Sequence, residues 1–164
     1  MLQAELKLNK NGFTLLETLI AMVIIVVGLL AALALINLVI STGKVSASRI
    51  IAANLAQEGI EVVRNDRDSK NNWRAWYSQI EDGNYRAEIK TSPPYDWTLR
   101  RNPPTYQLRF DSNSGLYNYE TGDLTPFSRQ ITISKISNDE KKIVSQVSWS
   151  ERGRSHSLVI EERL

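Results

Sequence analysis

The apolar run beginning at Phe13 constrains this chain more than any other feature. From Leu19 to Ile36 it holds 18 consecutive residues without a polar side chain, and it continues to Ile40. A helix needs about 20 apolar residues to cross a bilayer, so residues 13–40 suffice. The one charge among them is Glu17. A carboxylate at the centre of a membrane costs about 3 kcal/mol, and less near an end. Glu17 therefore asks for a compensating partner.

The flanks orient the run only slightly. Lys7 and Lys10 stand against Glu5 on one side, and Lys44 and Arg49 lie on the other. Cationic flanks favour the cytoplasm, so the expected topology is N-terminus inside and the rest outside. An ordinary secretory signal is a rival, because Ala32-Leu33-Ala34 has a small-x-small pattern after an apolar stretch. Cleavage there would leave Leu35 to Ile40 as an apolar new terminus and give Glu17 no role. A lipid-anchored precursor is excluded, since there is no cysteine to carry the lipid.

A basic leader ending at Gly12, then Phe13-Thr14-Leu15-Leu16-Glu17 and the apolar run, resembles the class III signal of type IV prepilins and type II secretion pseudopilins. The resemblance implies cleavage after Gly12 by a prepilin peptidase and methylation of the new amino terminus at Phe13. It also maps the family's assembly glutamate onto Glu17. The implied partners are other pilin subunits in a helical filament, the peptidase, an inner-membrane assembly platform, and membrane lipid before assembly. The implied course starts as a single-pass inner-membrane protein and ends in an extracellular pilus or a periplasmic pseudopilus. Two departures stand out. No proline precedes Pro93, so the mid-helix proline of many major pilins is missing, with Gly28 a weaker soft spot. The disulfide-bounded loop of many major pilins is missing too.

Four segments follow: a leader over 1–12, a membrane or filament-core helix over 13–40, an amphipathic continuation over 41–64, and a β-rich domain over 65–164. In the continuation, Val45, Ala52, Leu55, Ala56, Gly59, Val62 and Val63 recur at three- and four-residue intervals, opposite Asn54, Gln57, Glu58, Glu61 and Arg64. A single helix from Phe13 to about Arg64 would measure about 75–80 Å at 1.5 Å per residue, with Gly43 a point where it could bend. Gly59 lies on the apolar stripe, where a missing side chain would admit a close neighbour.

Asn65 to Asn72 reads as an exit loop, and Trp73 to Ile80 as a short helix with Trp73, Trp76, Tyr77 and Ile80 clustered. Alternation then takes over. Tyr85, Ala87 and Ile89 make one strand, ended by Ser92-Pro93-Pro94, and Asn102-Pro103-Pro104 breaks the chain again. Residues 106–119 read as a hairpin around Asp111-Ser112-Asn113-Ser114-Gly115. Residues 127–134, 143–150 and 157–164 supply further strands, with Trp149 and Ile131 expected to face the helix stripe or the core around it. The fold expected is α+β and pilin-like: a long N-terminal helix packed on an antiparallel sheet.

Nothing in the ectodomain calls for catalysis or a cofactor. Asp111, Asn113 and Gly115 begin a calcium-loop spacing, and some pseudopilins bind calcium. The twelfth position is Gly122 where a Glu is wanted, so a plain turn is the better reading. His156 is the only histidine and no cysteine exists, so zinc has no ligand set. No nucleophile elbow supports a Ser-His-Asp site, and the chain is not expected to be an enzyme. Arg64, Arg67, Lys70, Arg74, Arg86, Lys90, Arg100 and Arg101 form a basic stretch, but Glu81, Asp82, Glu88 and Asp96 interrupt it. It reads as a solvated surface, and no nucleic-acid partner is expected.

Asn54 to Arg64 with the stretch to Trp73, Pro126 to Ile133, and Val147-Ser148-Trp149 resemble V-type minor pilins and I-type pseudopilins. The leading function is a structural, minor filament subunit. The alternatives are a DNA-binding or adhesive subunit at a pilus tip, a type II secretion pseudopilin, and an unrelated single-span surface protein.

Overall fold

The structure, a computed structural model, describes residues 14–70, 72–90 and 96–164. Helix α1 runs over Leu15–Asp68 and helix α2 over Trp73–Gln79. The strands are β1 Gly83–Ile89, β2 Trp97–Arg101, β3 Gln107–Asp111, β4 Leu116–Asn118, β5 Asp123–Lys135, β6 Lys141–Glu151 and β7 Arg154–Arg163. The chain divides into two compact units, one ending at Lys44 and the other spanning Val45–Leu164. The architecture is α+β and pilin-like.

In the second unit the helix buries Ala52, Leu55, Ala56, Gly59, Ile60, Val62 and Val63, close to the expected stripe. Two apolar clusters cover that stripe. Ala52, Leu55 and Ala56 pack with Leu108, Phe127, Val147 and Trp149. Ile60, Val62 and Val63 pack with Trp76, Tyr85, Ile131, Ile133 and Ile143. Trp149 and Ile131 thus face the core, as their alternation predicts.

Among the described residues the sheet has seven antiparallel strands. β5 is its hub. One side pairs with β6 over Phe127–Lys135, and β6 pairs with β7. The other side is shared, with Ile131–Ile133 against β1 and residues 123–128 against β3. Pro126 cannot donate to a ladder, and it sits where the β3–β5 register shifts and before the β6 pairing begins. The β6–β7 hairpin closes on Arg152 and Gly153, both at positive φ (52° and 74°), the requirement of a tight two-residue turn.

Three sequence expectations change. Residues 65–68 continue the helix rather than opening the exit loop. Charged residues are adequate helix formers, and Asp66 accepts a hydrogen bond from the Trp76 indole at 2.9 Å. Residues 97–101, passed over between two proline pairs, form edge strand β2 with Ile89↔Trp97 through Tyr85↔Arg101 in register. The basic stretch is not uniformly solvated. Arg86 is buried and gives Nε to Glu88 at 2.7 Å, and Arg64 reaches Glu162 at 2.6 Å.

Buried charge ties helix to sheet. The Arg129 side chain is 1% exposed and pairs with Glu58 at 2.5 Å. It also donates to the Leu55 carbonyl at 3.0 Å and the Ala87 carbonyl at 3.1 Å. Gly59 makes room for this: a Cβ there would stand 2.5 Å from Ser145 Oγ, 3.3 Å from Arg129 Cδ and 3.4 Å from Ile131 Cδ1. Ser145 Oγ has no partner among the described residues, so its rotation relieves the shortest contact. Gly59→Ala is expected to stay within about 1 kcal/mol of the parent, helix propensity offsetting the crowding. Gly59→Leu is expected to cost about 3 kcal/mol by overpacking, read by denaturant unfolding of the full chain in detergent. Equal stability of the leucine variant would contradict the close approach.

Lys141 is almost fully buried. It donates to the Ile80 carbonyl at 2.8 Å and to Asp82 at 3.0 Å. Asp82 also accepts the Lys135 amide at 3.0 Å. That amide, and then the Lys141 ammonium, hold the Asp82 carboxyl below its ordinary value. A depressed carboxylate stabilises the fold above its unfolded pKa and loses that contribution as pH falls through the folded one. Asp82→Asn should therefore lower Tm at neutral pH, with the difference from the parent vanishing on acidification below the normal aspartate range. A constant difference across that range would argue against the coupling.

Candidate functional site

In the first unit, every side chain from Thr14 to Ile40 is exposed. Its large apolar residues range from Ile20 at 50% to Leu15 at 82%. Contiguous apolar surface of this size marks a membrane or protein contact. An 18-residue window reaches a mean hydropathy of 3.2 with none of it buried. The hydroxyls within and beside the run are satisfied along the helix. Thr18 donates to the Leu15 carbonyl at 2.9 Å, and Ser41 and Thr42 donate to Leu38 at 2.8 and 2.9 Å. No water is then needed to hydrogen-bond them.

Glu17 lies in the first turn of α1. Its amide donates to Thr14 Oγ1 at 3.3 Å and to the Thr14 carbonyl at 3.0 Å. Thr14 is thus the N-cap and Glu17 the third helical residue, the Thr-x-x-Glu spacing of a capping box. That signal was present in Thr14-Leu15-Leu16-Glu17, and sequence reasoning that fixed on the charge of Glu17 missed it. A carboxylate in the first turn also complements the helix dipole, typically by about 0.3–1 kcal/mol. Gly12 and Phe13, the expected cleavage and methylation positions, lie outside the described residues.

The Asp111 loop is occupied by its own turn. One carboxylate oxygen accepts the Asn113 amide at 2.9 Å and the other the Ser114 hydroxyl at 3.0 Å. The Asn113 amide is the main cause of the lowered pKa of Asp111. Among the described residues, no group of three or more His, Cys, Asp and Glu side chains is placed to hold a metal. His156 stacks on Trp149, ring centroids 5.4 Å apart and planes 22° from parallel.

Residues 7–33 match the prokaryotic N-terminal methylation motif. No curated protein and no solved structure matches the chain. With the α+β pilin-like architecture, the motif supports a subunit of pilin or pseudopilin type. A motif of this type implies assembly with other pilin subunits and processing by a prepilin peptidase. The apolar helix that begins within the matched segment is compatible with a single membrane anchor.

Proposed function

We propose that this chain is a minor structural subunit of a type IV pilus or a related pseudopilus. The supporting observation is the methylation motif opening a helix whose apolar surface is exposed on all sides. The peptidase would cut between Gly12 and Phe13, and the new terminus at Phe13 would be methylated. The subunit would wait in the inner membrane with its β-rich domain outside, then pass its helix into the filament core through the assembly platform. Glu17 would meet the amino terminus of a neighbouring subunit. The role is structural rather than catalytic, and the minor assignment rests on the resemblance carried by residues 54–73, 126–133 and 147–149.

Quantitative mass spectrometry of sheared, purified filaments tests this reading. A minor subunit should co-purify far below the stoichiometry of the main subunit and disappear when the peptidase is deleted. Recovery in the membrane fraction alone, with filaments intact and free of it, would overturn the assignment.

A further inference from the structure

The sheet ends in two open edges. Among the described residues, β2 pairs with β1 alone and β7 with β6 alone. β1 and β6 lie on opposite sides of β5, so β2 and β7 are opposite edges. Four antiparallel pairings separate them, so the two strands run in the same direction. A second copy displaced across the sheet therefore brings its β2 parallel to the β7 of the first.

The alternation of antiparallel ladders decides which backbone groups face outward. Leu164 and Lys141 exchange both hydrogen bonds, at 2.9 and 2.8 Å. Even-numbered residues of β7 thus face β6, and Ser157, Val159 and Glu161 present N–H and C=O to the open side. At β2 the Lys90 amide donates to the Asp96 carbonyl at 3.1 Å, and the Asn102 amide to the Asn84 carbonyl at 2.7 Å. Even-numbered residues there face β1, which leaves Trp97, Leu99 and Arg101 to pair outward. On the helix side, Trp97 and Leu99 pack on the same apolar cluster as Ile160. On the other side Val159 is exposed.

We propose that β7 of one copy pairs in parallel with β2 of a second copy of this chain. Leu158-Val159-Ile160-Glu161-Glu162 then stands beside Trp97-Thr98-Leu99-Arg100-Arg101, residue by residue in that order. In this register the Val159 and Glu161 amides donate to the Trp97 and Leu99 carbonyls, and the Leu99 and Arg101 amides to the Val159 and Glu161 carbonyls. Apolar residues meet apolar ones on the helix side, and each arginine meets a glutamate. A shift of two residues keeps faces and hydrogen bonds but loses this match: one way Arg100 and Arg101 fall beside Val159 and Ile160, the other way Glu162 falls beside Leu99 and Arg163 beside Arg100. Charges on an edge ordinarily deter pairing, and here the two edges carry opposite ones. All four charges already have partners within the chain: Arg100 and Glu88, Arg101 and Glu81, Glu161 and Lys142, Glu162 and Arg64. Exposed ion pairs contribute little energy, so the charges set register while the backbone bonds and apolar contacts hold the copies. The contact is head-to-tail, and it rests on the two sheet edges rather than on the proposed filament role.

Cross-linking of the full chain in liposomes tests this. The chain has no cysteine, so Thr98→Cys and Val159→Cys each supply a unique thiol. Within one chain these positions lie four strand spacings apart, about 19 Å, beyond a short bismaleimide. Differently tagged Thr98→Cys and Val159→Cys chains, mixed, should give a cross-linked dimer, with little from either variant alone. A chain with both cysteines should give a ladder of dimers, trimers and longer species. Arg100→Glu on the first chain, or Glu161→Arg on the second, should lower the mixed dimer about fivefold, and the two together should restore it. Absence of the mixed dimer, equal dimer from either variant alone, or indifference to both charge reversals would overturn the proposal. So would a Val159→Cys chain that cross-links in native-host membranes to a different protein and never to its own Thr98→Cys form, since the edge would then serve another partner.

Discussion

Replacing Glu17 by valine is expected to abolish, or strongly reduce, incorporation into filaments while leaving membrane insertion intact and processing largely so. After cleavage, Phe13 would carry an ammonium, still cationic when methylated, about one helical turn from Glu17. Each subunit would then present opposite charges at nearly the same depth. In a helical array the amine of one subunit can meet the carboxylate of the next. Attraction is far stronger in a low-dielectric core than at a surface, and an unpaired member there is heavily penalised. The pair would specify axial register as well as add stability.

The capping box gives this prediction a sharper control. If Glu17 served only to close the first turn with Thr14, glutamine would replace it, since the motif accepts either residue. Glu17→Gln is therefore expected to fail in assembly as valine does, with helix content unchanged. Filament composition, measured with each variant as the sole copy, decides between the roles. Wild-type amounts of the valine variant in filaments would reduce Glu17 to a carboxylate that reaches the headgroups. Wild-type amounts of the glutamine variant alone would assign it to the cap.

Gly12→Leu is expected to leave the leader attached and to exclude the chain from filaments. A peptidase cutting at a membrane border needs a small residue before the scissile bond, and leucine adds a branched side chain there. The uncut leader would also carry Lys7 and Lys10 into an apolar filament core, and leave Glu17 without a neighbouring amine. A mobility shift on electrophoresis reports retention of the leader. Normal processing of the leucine variant would move the cleavage site elsewhere.

Much of the second unit could be read from periodicity, because its helix and central strands bury one face each. Ala52 to Val63 and Phe127 to Ile133 announce themselves in this way. Gly59 could be read as well, since a glycine on an apolar stripe has few purposes other than close approach. Edge strand β2 could not, because Trp97 to Arg101 is short, carries two arginines and lies between proline pairs. The helix end was misplaced because Asp66 looks like loop composition, and only the distant Trp76 indole explains its place in the helix. Arg86 and Arg129 were hidden for a related reason. Their burial depends on Glu88 and Glu58, on carbonyls from other elements and on a fork in the sheet, none of which local sequence reveals.

The apolar segment behaves differently. Its composition foretold a helix, but a helix with no covered side says only that a membrane or other subunits must surround it. At Glu17 the opposite holds: the capping signal of Thr14 and Glu17 is local and legible in the sequence, beside the more conspicuous charge.

Intact-mass and N-terminal peptide mass spectrometry of the protein from its native host decides whether the chain is a processed filament subunit. The mature chain is expected to begin at Phe13 and carry a methylated amino terminus, and to lose both features when the peptidase is absent. A mature chain beginning at Leu35, or one in filaments that retains residues 1–12, would contradict it.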